Sequence, residues 1–77
     1  MALKLQQLRY FLLVAETRSY HAAARLAARS QPAVSLAIRE LEAYLGKALF
    51  ERGRNVELTP FGREHYPRIK ALIDHHE

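Results

Sequence analysis

Apolar residues near the start of the chain recur every three or four positions, which is the spacing of one face of an α-helix. The pattern extends from Leu5 to Thr17 and predicts a first helix over that range. Other apolar residues in this segment lie outside that face, so one neighbouring element cannot cover them all. Two interpretations therefore stay open: a central helix of the core, or a helix that also contacts a second subunit.

Two serines predict where the next two helices begin. Ser19 precedes an alanine-rich segment from 20 to about 28, and Ser30 precedes a segment from about 31 to 45. A serine hydroxyl at such a position accepts a hydrogen bond from an amide of the first helical turn. Gly46 predicts the end of the third helix, because glycine readily adopts the left-handed conformation of a helix terminus.

The third predicted helix has two different sides. At about 100° per residue, one side is an apolar stripe that we expect to face the core. The stripe consists of Val34, Ile38, Leu41 and Leu45. The opposite side carries Pro32, Leu36, Arg39 and Ala43, flanked by Ser35. A helix side that contacts only solvent does not require a leucine such as Leu36.

The segment that follows Gly46 alternates apolar and polar residues around Gly53, which predicts a two-stranded β-hairpin over about 49–59. Thr59 and Pro60 then predict the start of a fourth helix. Pro67 falls inside this helix, where it predicts a kink or redistributed hydrogen bonds. The apolar side of the helix is formed by Phe61, Tyr66, Ile69, Leu72 and Ile73.

Composition limits the class of protein. A chain of 77 residues can bury one core, and 49% apolar with 26% charged residues is typical of a folded domain. The absence of cysteine excludes disulfides and thiolate zinc sites. No apolar run approaches the ~20 residues that span a bilayer, and no signal-peptide cleavage pattern is present. We therefore expect no membrane association and a cytoplasmic location.

The net charge of +4 is unevenly placed. Residues 1–59 contain nine basic and five acidic residues, whereas residues 60–77 contain three of each. A localised basic excess favours a polyanionic partner, although domains that never bind nucleic acid also show it.

Short motifs in a fixed order narrow the interpretation. They are LRYF at 8–11, Ser19 with Ala23 and Ala24, SQPAVS at 30–35, Ile38, LE at 41–42, LG at 45–46, LFER at 49–52 and LTPFG at 58–62. Together they span nearly the whole chain and resemble the N-terminal domain of LysR-type transcriptional regulators.

This resemblance implies a mainly α fold. It implies a winged helix-turn-helix domain at 1–59, with a three-helix core and a hairpin wing, followed by a linker helix at 60–77. The third helix would lie in the major groove of double-stranded DNA, and the wing would reach a minor groove. The linker helix would pair two subunits into a homodimer through Phe61, Tyr66, Ile69, Leu72 and Ile73. A small-molecule effector would bind a C-terminal domain that these 77 residues lack.

The expected DNA interface consists of nine residues: Arg29, Ser30, Gln31, Pro32, Ser35, Leu36, Arg39, Arg52 and Arg54. The resemblance makes Gln31 a reader of a base edge, and an arginine at the wing tip can enter a narrow minor groove. Several alternatives stay open. Ser30 could be only a helix cap, Arg39 could form a surface ion pair, and Arg52 could pair with Glu42 or Glu51.

The chain departs from the usual family pattern at three places. Leu36 and Ala37 stand where an arginine and a glutamine are usual, so Leu36 either contacts a thymine methyl group or is a tolerated surface leucine. Ala27 replaces a usual leucine and Arg29 a usual apolar residue, which predicts an inward Leu26 or an irregular turn. The turn GRN at 53–55 is one residue shorter than is usual in the family, which affects how far Arg54 can reach.

Other chemistries find little support in the sequence. His65, His75 and His76 lack the spacing of a metal-ligand set, and no nucleophile, base and oxyanion donor converge. We expect no metal, no cofactor and no enzymatic activity. Two alternatives remain: a winged-helix protein-interaction module that uses the apolar surfaces of helices 1 and 4, and a non-specific architectural DNA binder.

Overall fold

The four predicted helices form at the predicted positions. A computed structural model describes the backbone of residues 3–76 and the side chains of residues 3–75. The helices are α1 at Leu5–Thr17, α2 at Tyr20–Ala27, α3 at Gln31–Leu45 and α4 at Pro60–His76. The predicted domain limits at residues 1 and 77, and the side chain of His76, lie outside the described residues. No described helix is both long enough and apolar enough to cross a bilayer.

The predicted caps are confirmed. The hydroxyl of Ser19 accepts a hydrogen bond from the amide of Ala22 at 3.0 Å, and that of Ser30 accepts one from Ala33 at 3.2 Å. Gly46 ends α3 in the left-handed conformation, with a φ of 78°. Local hydrogen bonding therefore defines the start of α2 and both ends of α3.

The turn between α2 and α3 is irregular, as one of the two predictions for this region required. Ala28 adopts a left-handed φ of 56°, and the amide of Arg29 donates to the carbonyl of Ala24 at 3.0 Å. Leu26 does not turn inward, because 67% of its surface stays exposed. The left-handed residue lets α3 begin four residues after α2 ends.

The core forms around α1, which packs against each of the other three helices. Phe11 and Val14 are completely buried in it, as are Val34 and Leu41 of α3. The ring of Phe11 lies 5.5 Å from that of Phe50 and 6.3 Å from that of Tyr66, measured between centroids. These contacts confirm the prediction that α1 is the central helix, and its contact with a second subunit stays a prediction.

The predicted two-stranded β-hairpin does not form, because the segment contains no extended strands. Between residues 46 and 60 the structure contains a single isolated antiparallel bridge, from Phe50 to Leu58. Two hydrogen bonds flank this bridge, from the amide of Glu51 to the carbonyl of Glu57 and from the amide of Thr59 to the carbonyl of Leu49, whereas the amide of Leu49 donates to the carboxylate of Glu42. Residues 51–55 are all exposed, so burial does not favour continued pairing. Residues 49–59, called the wing loop below, therefore form a closed loop with a short antiparallel base.

The start of α4 packs against this base. Thr59 accepts a hydrogen bond from the amide of Gly62 at 2.9 Å and donates one to the carbonyl of Ala48 at 2.8 Å. Gly62 is buried, and a Cβ atom at this position would overlap the carbonyl oxygen of Leu49. Further along, α4 continues through Pro67 without interruption of the helix. The close approach of α4 to the wing loop therefore depends on a glycine.

We predict that Gly62→Ala destabilises the fold, although alanine is the better helix former by about 1 kcal/mol. Overpacking against backbone atoms costs about 1–3 kcal/mol, and each kcal/mol lowers the Tm of a domain of this size by roughly 4–8 °C. Thermal denaturation measures the difference. As a control, Ala71→Gly on the exposed side of α4 should show only the propensity loss of about 1 kcal/mol. A Tm of Gly62→Ala equal to or above that of the unchanged chain would contradict the packing argument.

Candidate nucleic-acid interface

The outer side of α3 faces solvent, as the sequence predicted. Gln31, Pro32, Leu36 and Arg39 are exposed and Ser35 is half-buried, whereas Val34, Ile38 and Leu41 are buried on the opposite side. Gln31, Pro32, Ser35 and Arg39 line one open depression on this surface. The helix thus presents hydrogen-bonding, apolar and cationic groups to the same side of the molecule.

The amino end of α3 carries Arg29 and Ser30. The hydroxyl of Ser30 caps the helix, so the cap interpretation of this residue is confirmed. Arg29 is exposed immediately before the cap. A cation beside the free amides of a helix start creates a positive potential at this end of α3.

Four exposed arginines surround the outer side of α3 and the wing loop: Arg29, Arg39, Arg52 and Arg54. Among the described residues, none of them lies within ion-pair distance of a carboxylate. The alternative of a surface ion pair at Arg39 is therefore not observed. Unpaired cations stay available to an anionic partner.

Glu42 has a structural function that the sequence analysis did not predict. Its carboxylate accepts hydrogen bonds from the amides of Leu49 at 2.7 Å and Phe50 at 3.3 Å. It also contributes, after burial, to raising the pKa of the Tyr20 hydroxyl, whereas Arg39 acts in the opposite direction. The carboxylate therefore connects α3 to the wing loop, and it does not pair with Arg52. Glu42 belongs to the LE motif at 41–42, which singled it out in the sequence. Its hydrogen bonds to the amides of Leu49 and Phe50 are visible only in the folded structure.

The tip of the wing loop projects into solvent. Arg52, Arg54 and Asn55 are exposed there, and Gly53 between the arginines adopts a positive φ of 150°. Arg54 and Asn55 line a depression together with Arg18, an exposed residue that ends α1. Arg18 could not be assigned to this surface from the sequence, because only the tertiary structure brings the α1–α2 turn to the wing loop.

A comparison with family models identifies this arrangement. Residues 5–63 match the model described as bacterial regulatory helix-turn-helix protein, lysR family. The chain belongs to the LysR family. The match covers α1, α2, α3 and the wing loop, and it ends in the first turn of α4.

Individual relatives agree with this assignment. The chain is 51% identical over 71 residues to the RuBisCO operon transcriptional regulator of Allochromatium vinosum, covering 88% of this chain and 24% of that protein. It is 49% identical over 73 residues to the regulator TfdS of Cupriavidus pinatubonensis, covering 94% of this chain and 25% of that protein. The chain thus spans about a quarter of the length of these relatives.

Solved structures of LysR-family domains have the same fold. The BenM_DBD/benA site 1 DNA complex superposes with a TM-score of 0.91 at 38% identity, covering 95% of this chain and 86% of that one. The CbnR_DBD-DNA complex gives a TM-score of 0.88 at 36% identity, covering 94% and 84%. Both of these solved structures are complexes with DNA.

The five residues expected at the subunit interface of this LysR-family domain differ in how much of their surface is exposed. Ile69 and Ile73 are only 9% and 4% exposed, because they pack into the core of this chain. Phe61 and Tyr66 are half-buried against the same core, whereas Leu72 is 55% exposed. Leu72 is therefore the member of the set with the most surface available to another molecule.

Tyr66 and Lys70 connect α4 to α1 through one carboxylate. The hydroxyl of Tyr66 donates to Glu16 at 2.7 Å, and the ammonium group of Lys70 lies 3.5 Å from the same oxygen. Burial, the hydrogen bond to Glu16 and the nearby carboxylates of Glu16 and Asp74 raise the pKa of Tyr66 from 10.0 to about 12. The neutral phenol is thus favoured in the folded state.

His65 packs against Phe61, one turn earlier on α4. Its ring stacks on Phe61 at 4.1 Å between centroids, and its Nδ1 atom lies 2.9 Å from the carbonyl oxygen of Phe61. Within the described part of the chain, no three histidine or carboxylate side chains are placed to hold a metal ion.

We predict that Glu42→Ala lowers stability by about 1–3 kcal/mol, because two buried amides lose their acceptor. Chemical denaturation gives the change, and amide hydrogen exchange at Leu49 and Phe50 should accelerate. Glu42→Gln keeps a carbonyl acceptor and should lose less. Glu51→Ala removes an exposed carboxylate of the same loop and should change stability by under ~0.5 kcal/mol. Equal losses in Glu42→Ala and Glu51→Ala would contradict the assigned function of Glu42.

The raised pKa of Tyr66 predicts a pH dependence of stability. The hydroxyl ionises at lower pH in the unfolded chain than in the folded one, so its contribution is complete below pH 10 and is lost as the pH rises toward 12. The difference in Tm between the unchanged chain and Tyr66→Phe should shrink over that range. Thermal denaturation at a series of pH values measures it. A difference that is constant or that grows with pH would contradict the assignment.

Proposed function

We propose that this chain is the DNA-binding domain of a LysR-type transcriptional regulator and that it recognises a specific duplex sequence. The observation that carries the proposal is the outer side of α3, where Gln31, Ser35 and Arg39 face solvent together with unpaired arginines at both ends of the surface. The DNA complexes of the similar BenM and CbnR domains support it.

In this proposal α3 enters the major groove. The groove is about 12 Å wide and accepts a helix whose outer side carries the reading residues. Gln31 at the amino end has the paired donor and acceptor that recognise adenine, and Arg39 has the fork that recognises guanine or a phosphate. Ser35 is short enough for a close contact, and Pro32 presents an apolar ring beside it.

The start of α3 would bind the sugar-phosphate backbone. Arg29 is exposed there, and the dipole of the helix favours an anion at the same end. The hydroxyl of Ser30 stabilises this helix end by capping it, so its contribution to binding is to hold the amides in position.

The wing loop would approach an adjacent minor groove. Arg54 and Arg52 project from its tip, and arginine is attracted to a narrow minor groove where the potential is most negative. Glu42 holds the base of the loop against α3, so the two binding elements keep a fixed separation. Arg18 lines the same depression as Arg54 and extends the positive surface.

A homodimer would place two such domains on related half-sites. Two-fold symmetry in the protein corresponds to two-fold symmetry in the DNA site. Because Ile69 and Ile73 are buried within the monomer, we assign the contact surface of α4 to Leu72 and its exposed neighbours. Binding of a small-molecule effector would involve a domain outside the segment that the chain shares with its relatives.

The burial pattern gives little support to the protein-interaction alternative. That alternative depends on free apolar surfaces on α1 and α4, yet Leu12, Ile69 and Ile73 are buried where these two helices pack together. The architectural alternative predicts that all duplexes bind alike, so competition decides it.

Selection of random duplex DNA by the purified chain tests the proposal. We expect a recurrent sequence that binds at least tenfold more tightly than random duplex. We also expect log K to fall with log salt by about 0.9 for each phosphate contact. A zero salt slope would favour a protein-interaction module. A preference below tenfold would favour a non-specific binder.

We predict different losses for two variants of the interface. Gln31→Ala should reduce discrimination at one base pair by ~1–3 kcal/mol. Arg54→Ala should weaken binding to all sequences more evenly and reduce the salt slope by about 1. Arg68→Ala is the matched control, because Arg68 is exposed on α4 and pairs with Glu64 away from α3. If both interface variants lost the same affinity for every DNA sequence, the assignment of different binding functions to Gln31 and Arg54 would be contradicted.

A further inference from the structure

Leu36 lies at the centre of the outer side of α3. Leu36 is two positions from Val34 and two from Ile38, so at 100° per residue it lies about 160° around the helix from each. Both of those residues are buried, whereas Leu36 is 48% exposed and does not pack against the core. The side chain is therefore not part of the hydrophobic core of the described residues.

The surroundings of Leu36 combine apolar and cationic groups. Pro32 is one helical turn earlier and also exposed, so the two side chains form an apolar strip along the outer side. Ser35 and Arg39 lie beside this strip, and Arg39 has no carboxylate within ion-pair distance among the described residues. Unpaired positive charge beside the strip favours a polyanionic partner over an apolar protein surface.

A leucine can make only one kind of favourable contact in the major groove. Base edges there present hydrogen-bond donors and acceptors, except for the C5-methyl group of thymine. Against any other base, the leucine would cover polar atoms without offering them a partner, which is unfavourable. Against thymine, it would remove two apolar surfaces from water.

We infer that Leu36 recognises the C5-methyl group of a thymine and makes the chain select thymine at one position of its binding site. The inference rests on the proposed DNA-binding function and adds a contact that uses no hydrogen bond. Leu36 is then a specificity-determining residue, with Pro32 completing the apolar surface around the methyl group.

Single-atom changes in the DNA test this contact. The duplex selected by the unchanged chain is prepared with each thymine replaced in turn by deoxyuridine, which lacks only the methyl group. At one position the affinity of the unchanged chain should fall about fourfold, as expected for the loss of one buried methyl group. Leu36→Ala should bind the thymine and deoxyuridine forms of that position equally. Leu36→Met keeps an apolar side chain of similar reach and should keep most of the difference.

Leu26→Ala is the matched control, because Leu26 is a second exposed leucine on a different helix. It should respond to deoxyuridine like the unchanged chain, and Leu36→Ala should keep an unchanged Tm. If the selected duplex binds but no thymine is sensitive, or if Leu36→Ala stays sensitive at the same position, the inference about Leu36 is wrong and the proposed function stands. If selection yields no preferred sequence, the proposed function fails and the inference fails with it.

Discussion

Burial of Val34, Ile38 and Leu41 in the core, where α3 packs against α1 and α2, determines which side of α3 faces solvent. Because these residues are 0–1% exposed, a rotation of α3 about its axis would expose apolar surface and bury Arg39. A second contact acts in the same direction, since the side-chain amide of the buried Gln7 on α1 donates to the carboxylate of Glu40 on α3 at 3.3 Å. The proposed reading side is thus fixed by the packing of the opposite side.

The wing loop is held in place by the two helices that flank it. Glu42 of α3 binds the amide of Leu49, and the amide of Thr59 donates to the carbonyl of Leu49 at 2.9 Å. Gly62 lets the first turn of α4 approach the same carbonyl. The loop therefore needs no β-ladder to keep its position relative to α3, and its exposed tip carries the arginines.

The helices could be predicted from the sequence because local interactions define them. Ser19, Ser30 and Gly46 act on amides or backbone angles within a few residues, so their effect is visible in the sequence itself. The hairpin could not be predicted correctly, because the amide of Leu49 bonds to Glu42, seven residues earlier, and residues 51–55 are all exposed. Alternating patterns cannot reveal that competition.

The candidate site likewise contains residues that the sequence pattern places and residues that only the tertiary structure places. Periodicity placed Pro32, Leu36 and Arg39 correctly on the outer side of α3, whereas Arg18 joins the surface only through tertiary structure. The apolar pattern of α4 likewise could not separate Ile73, which is in the core, from the exposed Leu72. Whether an apolar residue of a helix packs into its own chain depends on tertiary structure, which the periodicity of the sequence does not reveal.

Mapping of backbone amide chemical shifts with and without the selected duplex tests the central claim most directly. We expect the changes to concentrate at residues 29–39 and 52–54, with the buried residues of α1 little affected. Changes confined to α4 and the outer surface of α1, with the outer side of α3 unaffected, would contradict the account.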